Sequence, residues 1–348
     1  MVPLALQAFT PEPLAQALGI TTAEARKIVS AVHRNRHLEP MEGVRRVASE
    51  SMRARGHVPS LEVREVRRSA LDPFVKFALA TAEGHVIEAV RIPLEKTGRF
   101  SACVSSQAGC ALACAFCATG RLGLSRNLEV WEIVEQVRVV RASLGPGERV
   151  HGVVFQGMGE PLANLERVIA AIRVMNDPCA LAIDSRAITV CTSGLPSGIR
   201  QLAREVPKVR LGVSISSARR DVRRKLMPIE AAQPLDEVIA AVEEHARVTG
   251  LAPMWAVTPL AGVNDTEEDA AALAALVHAF VERVGVRPRL SVVPYNAIDV
   301  AGSDPFSRGD VMGFIDRLIA HGVRPHLRYS GGSDVAAACG QLGRTSAG

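Results

Sequence analysis

The chain has 348 residues, 48 % of them hydrophobic and 22 % charged, with a net charge of +5 and an isoelectric point near 9.0. That length allows one large domain plus a smaller one, and the composition is that of an ordinary soluble globular protein. No apolar stretch reaches membrane-spanning length, and the start (MVPLALQAFTPEP) has no basic segment leading into a long apolar one, so a cytoplasmic location is expected.

The charge is unevenly placed: residues 1–70 hold 11 Lys/Arg against 7 Asp/Glu. Thr21 and Glu24 have the spacing of a capping box and open an amphipathic helix through about Val32, with Arg26, Lys27, Arg34 and Arg36 along or just beyond it. A second helical pattern, about Glu42 to Arg55, carries Arg45, Arg46, Arg53 and Arg55. Two short basic helices suit a phosphate backbone, and they equally suit a solvated appendage. Residues 1–71 are therefore expected to form a helical accessory unit, an RNA-binding one on the first of those readings.

From residue 72 to 348 the pattern becomes strand–helix alternation. Strands are expected at Val86–Ile92, Ser101–Ser105, Val150–Phe155, Ala187–Thr192, Lys208–Ser214, Met254–Val257 and Leu290–Val293. Helices are expected at Glu129–Leu144, Leu235–Val248, Thr266–Val284 and Arg308–His321. The class is α/β with a parallel sheet. About six units are too few for a closed eight-fold barrel, so a partial (β/α)6 barrel is expected. Chemistry in such folds gathers at the carboxyl ends of the strands, where a cysteine loop (residues 110–117) and the turn Gly157-Met-Gly-Glu-Pro161 both fall.

Cys110, Cys114 and Cys117 stand in the run Gly-Cys-Ala-Leu-Ala-Cys-Ala-Phe-Cys. Three thiolates at this spacing can hold an iron–sulfur cluster and leave one iron without a protein ligand, an open position of the kind reactive metal sites keep. Structural zinc would want a fourth Cys or His close by, and two-cluster ferredoxins repeat their run; neither occurs here. Buried cysteines acting as small hydrophobes are the remaining alternative. Seven cysteines in a reducing compartment favour metal or redox chemistry over a disulfide framework.

With the cysteine run, the Gly-Met-Gly-Glu-Pro turn, the segment Cys103-Val-Ser-Ser-Gln-Ala-Gly-Cys110 and the C-terminal Ala337-Ala-Cys-Gly-Gln-Leu342 together, the chain resembles the RlmN/Cfr family over roughly residues 72–342. These are radical S-adenosylmethionine (SAM) enzymes that methylate an adenine ring carbon in RNA. The resemblance implies a [4Fe–4S] cluster on Cys110, Cys114 and Cys117, and SAM as cofactor. It implies that Cys339 accepts a methyl group from one SAM, and that a 5′-deoxyadenosyl radical from a second SAM activates that methyl for addition to adenine. Cys103 matches the cysteine that releases the adduct by attacking the Cys339 sulfur, and Glu88 matches the general base that removes the adenine proton. Gly159, Glu160, Ser214, Ile215, Ser216, Asn296 and Cys191 fall at SAM-contacting positions. The implied partners are large-subunit ribosomal RNA, with tRNA as a further substrate, and an external electron donor such as flavodoxin or ferredoxin. A monomer is expected.

The chain departs from the family pattern in the pocket. Cys191 replaces a serine, Ser216 a histidine, Gln156 a methionine and Ala336 an acidic residue, and the strand Met254–Val257 lacks a glutamate. A thiol is a weaker hydrogen-bond donor than a hydroxyl, so these changes suggest a divergent branch with a shifted target. Cys179 matches no family role. Carbon 2 is the favoured position and carbon 8 the second. A radical SAM enzyme on a non-RNA substrate, and a non-catalytic iron–sulfur or zinc RNA-binding protein, are the competing functions; the trio Cys103, Cys339 and Glu88 speaks against the first, and Gly159, Glu160 and Asn296, which would have no reason to accompany the cysteines, against the second.

Overall fold

The computed structural model describes residues 3–34, 41–298 and 304–343; the expected basic position Arg36 lies outside them. Helices α1 (Pro11–Leu18), α2 (Thr22–His33) and α3 (Arg46–Arg55) form the N-terminal unit. The Thr21 hydroxyl accepts from the Glu24 amide and the Glu24 carboxylate accepts from the Thr21 amide, which stops the helix fraying at its first turn. Helix α3 starts later than the sequence pattern suggests. Gly43 takes a positive φ of 68°, a conformation that breaks helical continuity before Arg46. Several basic residues already serve the unit itself: Arg45 pairs with Glu24 at 2.8 Å, and Lys27 donates to the Glu42 and Gly43 carbonyls.

The rest of the chain winds one ten-stranded sheet. In chain order its strands and covering helices are β1 (Glu62–Arg68), β2 (Val75–Ala80), β3 (Val86–Pro93), β4 (Arg99–Cys103), α4 (Val130–Ala142), β5 (Arg149–Phe155), α5 (Leu165–Asn176), β6 (Ile188–Thr192), α6 (Pro196–Glu205) and β7 (Arg210–Ser214). Then come α7 (Arg220–Leu226), α8 (Leu235–Thr249), β8 (Met254–Val257), α9 (Glu267–Val284), β9 (Arg289–Val292), α10 (Val311–Ala320) and the short β10 (His326–Leu327). Every strand lies beside its sequence neighbours, from β10 at one edge to β1 at the other. Strands β4 to β10 are parallel, whereas β1 to β4 are joined antiparallel. The expected (β/α)6 partial barrel is present as β4–β9, extended by the antiparallel strands. The position 71/72 falls between β1 and β2, which pair with each other.

Two of the parallel strands, Ile188–Thr192 and Met254–Val257, alternate buried with half-buried positions, and of the half-buried ones Cys191 and Ala256 line the cavity described below. One hydrophobic core joins N-terminal residues such as Leu14 and Ile28 to barrel residues such as Phe155 and Trp255. A smaller cluster of Val222, Leu226, Met227, Leu260 and Tyr295 supports Cys114 and Phe116 of the cysteine loop. The chain after β10 ties the two ends of the sheet together. The Tyr329 hydroxyl and the Gly332 amide donate to Asp72, between β1 and β2, at 2.8 and 2.9 Å. No helix among the described residues is long and apolar enough to cross a membrane.

Candidate active site

The site assembles at the carboxyl ends of β4 to β9. The turn after β5 fixes its floor. Gly159 has φ +98°, and a Cβ there would sit 2.5 Å from the Gln107 side chain; a Cβ on Gly157 would meet the Val104 backbone at 2.6 Å. The glycines are thus required by close chain crossing, and both line the cavity above. Glu160 is buried. One carboxylate oxygen accepts from the Leu162 amide (3.0 Å) and the other from the Ser193 amide (2.8 Å), while the Gln107 side chain accepts from its backbone N–H. Burial raises its pKa, opposed by those amide donors.

That cavity, open to solvent at its mouth, is lined by Cys114, Cys117, Gln156, Gly159, Glu160, Cys191, Ser214, Ser216, Asn296 and Cys339 among others. Most of the residues expected to bind SAM therefore meet here. Ile215 does not line it: its side chain lies in the core, and its carbonyl accepts from Arg223. Ser216 has φ +58°, an uncommon conformation for a non-glycine residue, and its carbonyl is held by Asn264 at 2.6 Å.

Cys110 is half-buried and absent from the cavity lining, although it lies close enough to Cys114 and Cys117 for their charges to interact. Burial pushes the Cys110 thiol up to about 11 and Cys114 to about 12, with the neighbouring thiols adding to the effect. Burial raises Cys117 as well, against the Gly120 and Thr119 amides. Among the described residues no three His, Cys, Asp or Glu side chains converge at single-ion distance. Three thiols grouped on one loop fit a cluster that takes one thiolate per iron. Coordination would also remove the cost of the buried thiolates.

The Cys339 segment is clamped at several points. The Ala118 amide donates to the Gly340 carbonyl (2.8 Å) and the Thr119 hydroxyl to the Leu342 carbonyl (2.7 Å), both from the helical turn that follows the cysteine loop. Asn296 Nδ2 donates to Ser330 Oγ at 2.8 Å and to the Cys339 carbonyl at 3.2 Å. The Gly343 amide donates to Glu88 Oε2 at 2.8 Å. Cys339 consequently stands in the wall shared by two cavities, the one already described and a second lined by Phe74, Cys103, Gln156, Arg328 and Tyr329. All seven cysteines are free, so Cys103 and Cys339 face the second cavity as thiols. Burial, then Cys339 and Cys191, push the Cys103 thiol up; the Gln156 amide and Arg328 act in the opposite sense. Burial likewise lifts Cys191 to about 12.

Glu88 shares a sheet face with Cys103, because Val90 pairs with Cys103 and Glu88 lies two residues away on the same strand. It lines neither cavity. Instead Glu88 Oε1 accepts from Lys76 Nζ at 3.2 Å, in a pair that is 0 % and 1 % exposed. Burial pushes the Lys76 ammonium pKa down, and Glu88 opposes this. Removing one partner of a buried pair leaves an uncompensated charge, so Lys76→Met should lose about 3–5 kcal/mol of stability. The Lys76→Met/Glu88→Leu double variant should recover part of that loss. Urea midpoints check both; a single variant as stable as the parent would show that the pair contributes nothing.

Comparison with known proteins decides the family. The Radical SAM superfamily model matches residues 104–277. A probable RNA methyltransferase of Sorangium cellulosum is 58 % identical over 97 % of this chain and 91 % of its own length. A probable dual-specificity RNA methyltransferase RlmN of Moorella thermoacetica is 37 % identical over 95 % of this chain and 94 % of its own. A radical SAM methyltransferase from Sphaerobacter thermophilus superimposes with a TM-score of 0.87 at 31 % identity, covering 98 % of this chain and 100 % of that one. The chain belongs to the RlmN/Cfr family. It is a radical SAM methyltransferase, and its cofactors are a [4Fe–4S] cluster and SAM.

In this RlmN/Cfr protein three site residues carry no sequence signal of their own: Lys76 behind Glu88, Arg328 beside Cys103 and Cys339, and Arg223 beneath Ser214 and Ile215. Burial opposes the Arg328 cation, and the three thiols around it, Cys339, Cys191 and Cys103, favour it strongly enough that its pKa is raised.

Proposed function

We propose that this protein methylates a ring carbon of adenine in RNA, with carbon 2 favoured, in large-subunit ribosomal RNA and with tRNA as a further substrate. The observation that carries this reading is the position of Cys339 in the wall common to two cavities. One cavity has the residues suited to SAM; the other has a second thiol, Cys103. When bound, the cluster and SAM supply the methyl group and the one-electron chemistry that an electron-poor ring carbon requires. The chain's own residues do the rest. Glu160 faces the SAM cavity as a carboxylate suited to an α-ammonium group. Asn296 and the Ala118 and Thr119 clamps hold Cys339 between the two cavities, so that its sulfur can take a methyl on one side and present it on the other. Cys103 releases the product by forming a disulfide with Cys339, and Glu88 takes the ring proton once it is released from its Gly343 contact. Helix α3, with Arg46 and Arg53 exposed and Arg55 half-buried, gives the N-terminal unit its surface for RNA phosphates. The reading includes a cytoplasmic monomer reduced by flavodoxin or ferredoxin.

The test is nucleoside mass spectrometry of ribosomal RNA incubated with reconstituted enzyme, SAM and a reductant. Methyladenosine is expected from the parent protein and none above background from Cys339→Ala. Methyladenosine that persists in that variant would overturn the route through Cys339, and a methyl group on a nucleoside other than adenosine would overturn the substrate.

A further inference from the structure

Two buried polar atoms in the second cavity lack any hydrogen-bond partner: Arg328 Nη1 and Gln156 Oε1. Arg328 follows β10 and Gln156 follows β5, and both line the cavity beside Cys103 and Cys339. Buried polar groups are nearly always paired in native proteins, and an unpaired one loses its hydration without compensation. One orphan is a donor and the other an acceptor, so a ligand that satisfies both must offer an acceptor and a donor. The edge of adenine does so, with ring nitrogen N1 as acceptor and the exocyclic amino group as donor. Guanine presents the reverse pattern on the same edge, a carbonyl and a ring N–H, and would leave both protein groups opposed by like partners.

Resting on the reading that adenine enters this cavity, we propose that Arg328 and Gln156 recognise the base: Arg328 Nη1 donates to adenine N1, and Gln156 Oε1 accepts from the exocyclic amino group. N1 is bonded to carbon 2, so this contact brings the favoured carbon toward Cys339. The Arg328 main chain is held by its amide, which donates to the Val292 carbonyl at 2.9 Å, and its side chain lines the cavity with Cys103 and Cys339. The Gln156 backbone N–H, not its side chain, faces the Cys103 thiol.

The experiment is a protein–substrate cycle on a synthetic RNA spanning the adenosine that the parent enzyme methylates. That adenosine is replaced by 1-deazaadenosine, which lacks N1, or by purine riboside, which lacks the amino group. Against the parent enzyme, loss of N1 should lower kcat/KM about 10- to 100-fold, as expected for a hydrogen bond from a charged donor, and loss of the amino group about 3- to 10-fold. Arg328→Met should be insensitive to the loss of N1 but still sensitive to the loss of the amino group; Gln156→Met should show the opposite pattern. Cluster absorbance is measured in parallel to establish that each variant is folded and loaded. Equal losses in parent and variant would overturn the assignment, because a purely structural or electronic effect follows the substrate and ignores the side chain. A Gln156→Met defect confined to the KM for SAM would overturn that half by placing Gln156 on the cofactor. Absence of methyladenosine from the parent enzyme would remove the underlying function as well, whereas methylation without coupling removes this inference alone.

Discussion

Cys110→Ala protein should purify without the brown colour of the parent, with iron near background, and should form no 5′-deoxyadenosine from SAM. The loop gives two of its thiols, Cys114 and Cys117, to the cavity wall and keeps Cys110 outside it. With one thiolate removed, the remaining two leave a second iron without a protein ligand, and the cluster is lost rather than merely altered. The fold should survive. Cys110 is half-buried, the hydrophobic core is built without it, and its amide bond to the Gly123 carbonyl at 2.8 Å does not depend on the side chain. Far-UV circular dichroism should therefore match the parent. Cys179→Ala is the control: Cys179 sits on a turn held by Asp177, outside both cavities, and its removal should leave iron content unchanged. Iron retained at parental level in Cys110→Ala would remove the cysteine run as the cluster site.

The barrel strands were legible because they are short apolar or β-branched runs bounded by turn residues, as at residues 153–155 and Met254–Val257. Strand β1 was not legible. Its sequence Glu-Val-Arg-Glu-Val-Arg-Arg lies at an exposed edge, where there is no buried face to impose alternation. Helix α6 hides for another reason: it begins with Pro-Ser-Gly, which reads as a turn until tertiary contacts bury Gly198 and Ile199. Within the site, Cys339, Glu160 and Asn296 could be located because they occupy short motifs. Lys76 and Arg328 could not, since their meaning lies in what the fold places opposite them, Glu88 in one case and three thiols in the other. Ile215 shows the converse: a motif position whose side chain went to the core while its carbonyl became a structural acceptor.

Arg223 is the sharpest instance and yields the second large effect. It lies in Arg219-Arg-Asp-Val-Arg-Arg-Lys225, a stretch that reads as a solvated charged face, yet Arg223 and its partner Glu230 are both 0 % exposed. Its Nε donates to Glu230 at 3.1 Å, Nη2 to the Ser193 carbonyl at 2.8 Å, and Nη1 to the Ser214 carbonyl at 2.9 Å and to Ile215. One guanidinium thus ties the carboxyl ends of β6 and β7, where Ser193, Ser214 and Ser216 line the cavity proposed to hold SAM. Arg223→Met should cost about 3–5 kcal/mol, because Glu230 stays buried with only Arg220 and the Leu235 amide to satisfy it. Lysine should not rescue it, since an ammonium lacks the planar fork needed to reach carbonyls on two strands at once. SAM affinity should fall in both variants, measured by equilibrium binding at a temperature where each remains folded. Arg224→Met, at an exposed neighbour in the same run, should change neither stability nor SAM binding. If Arg223→Met unfolds at the parental urea midpoint, the pair is dispensable and the cavity wall is held by the strands alone.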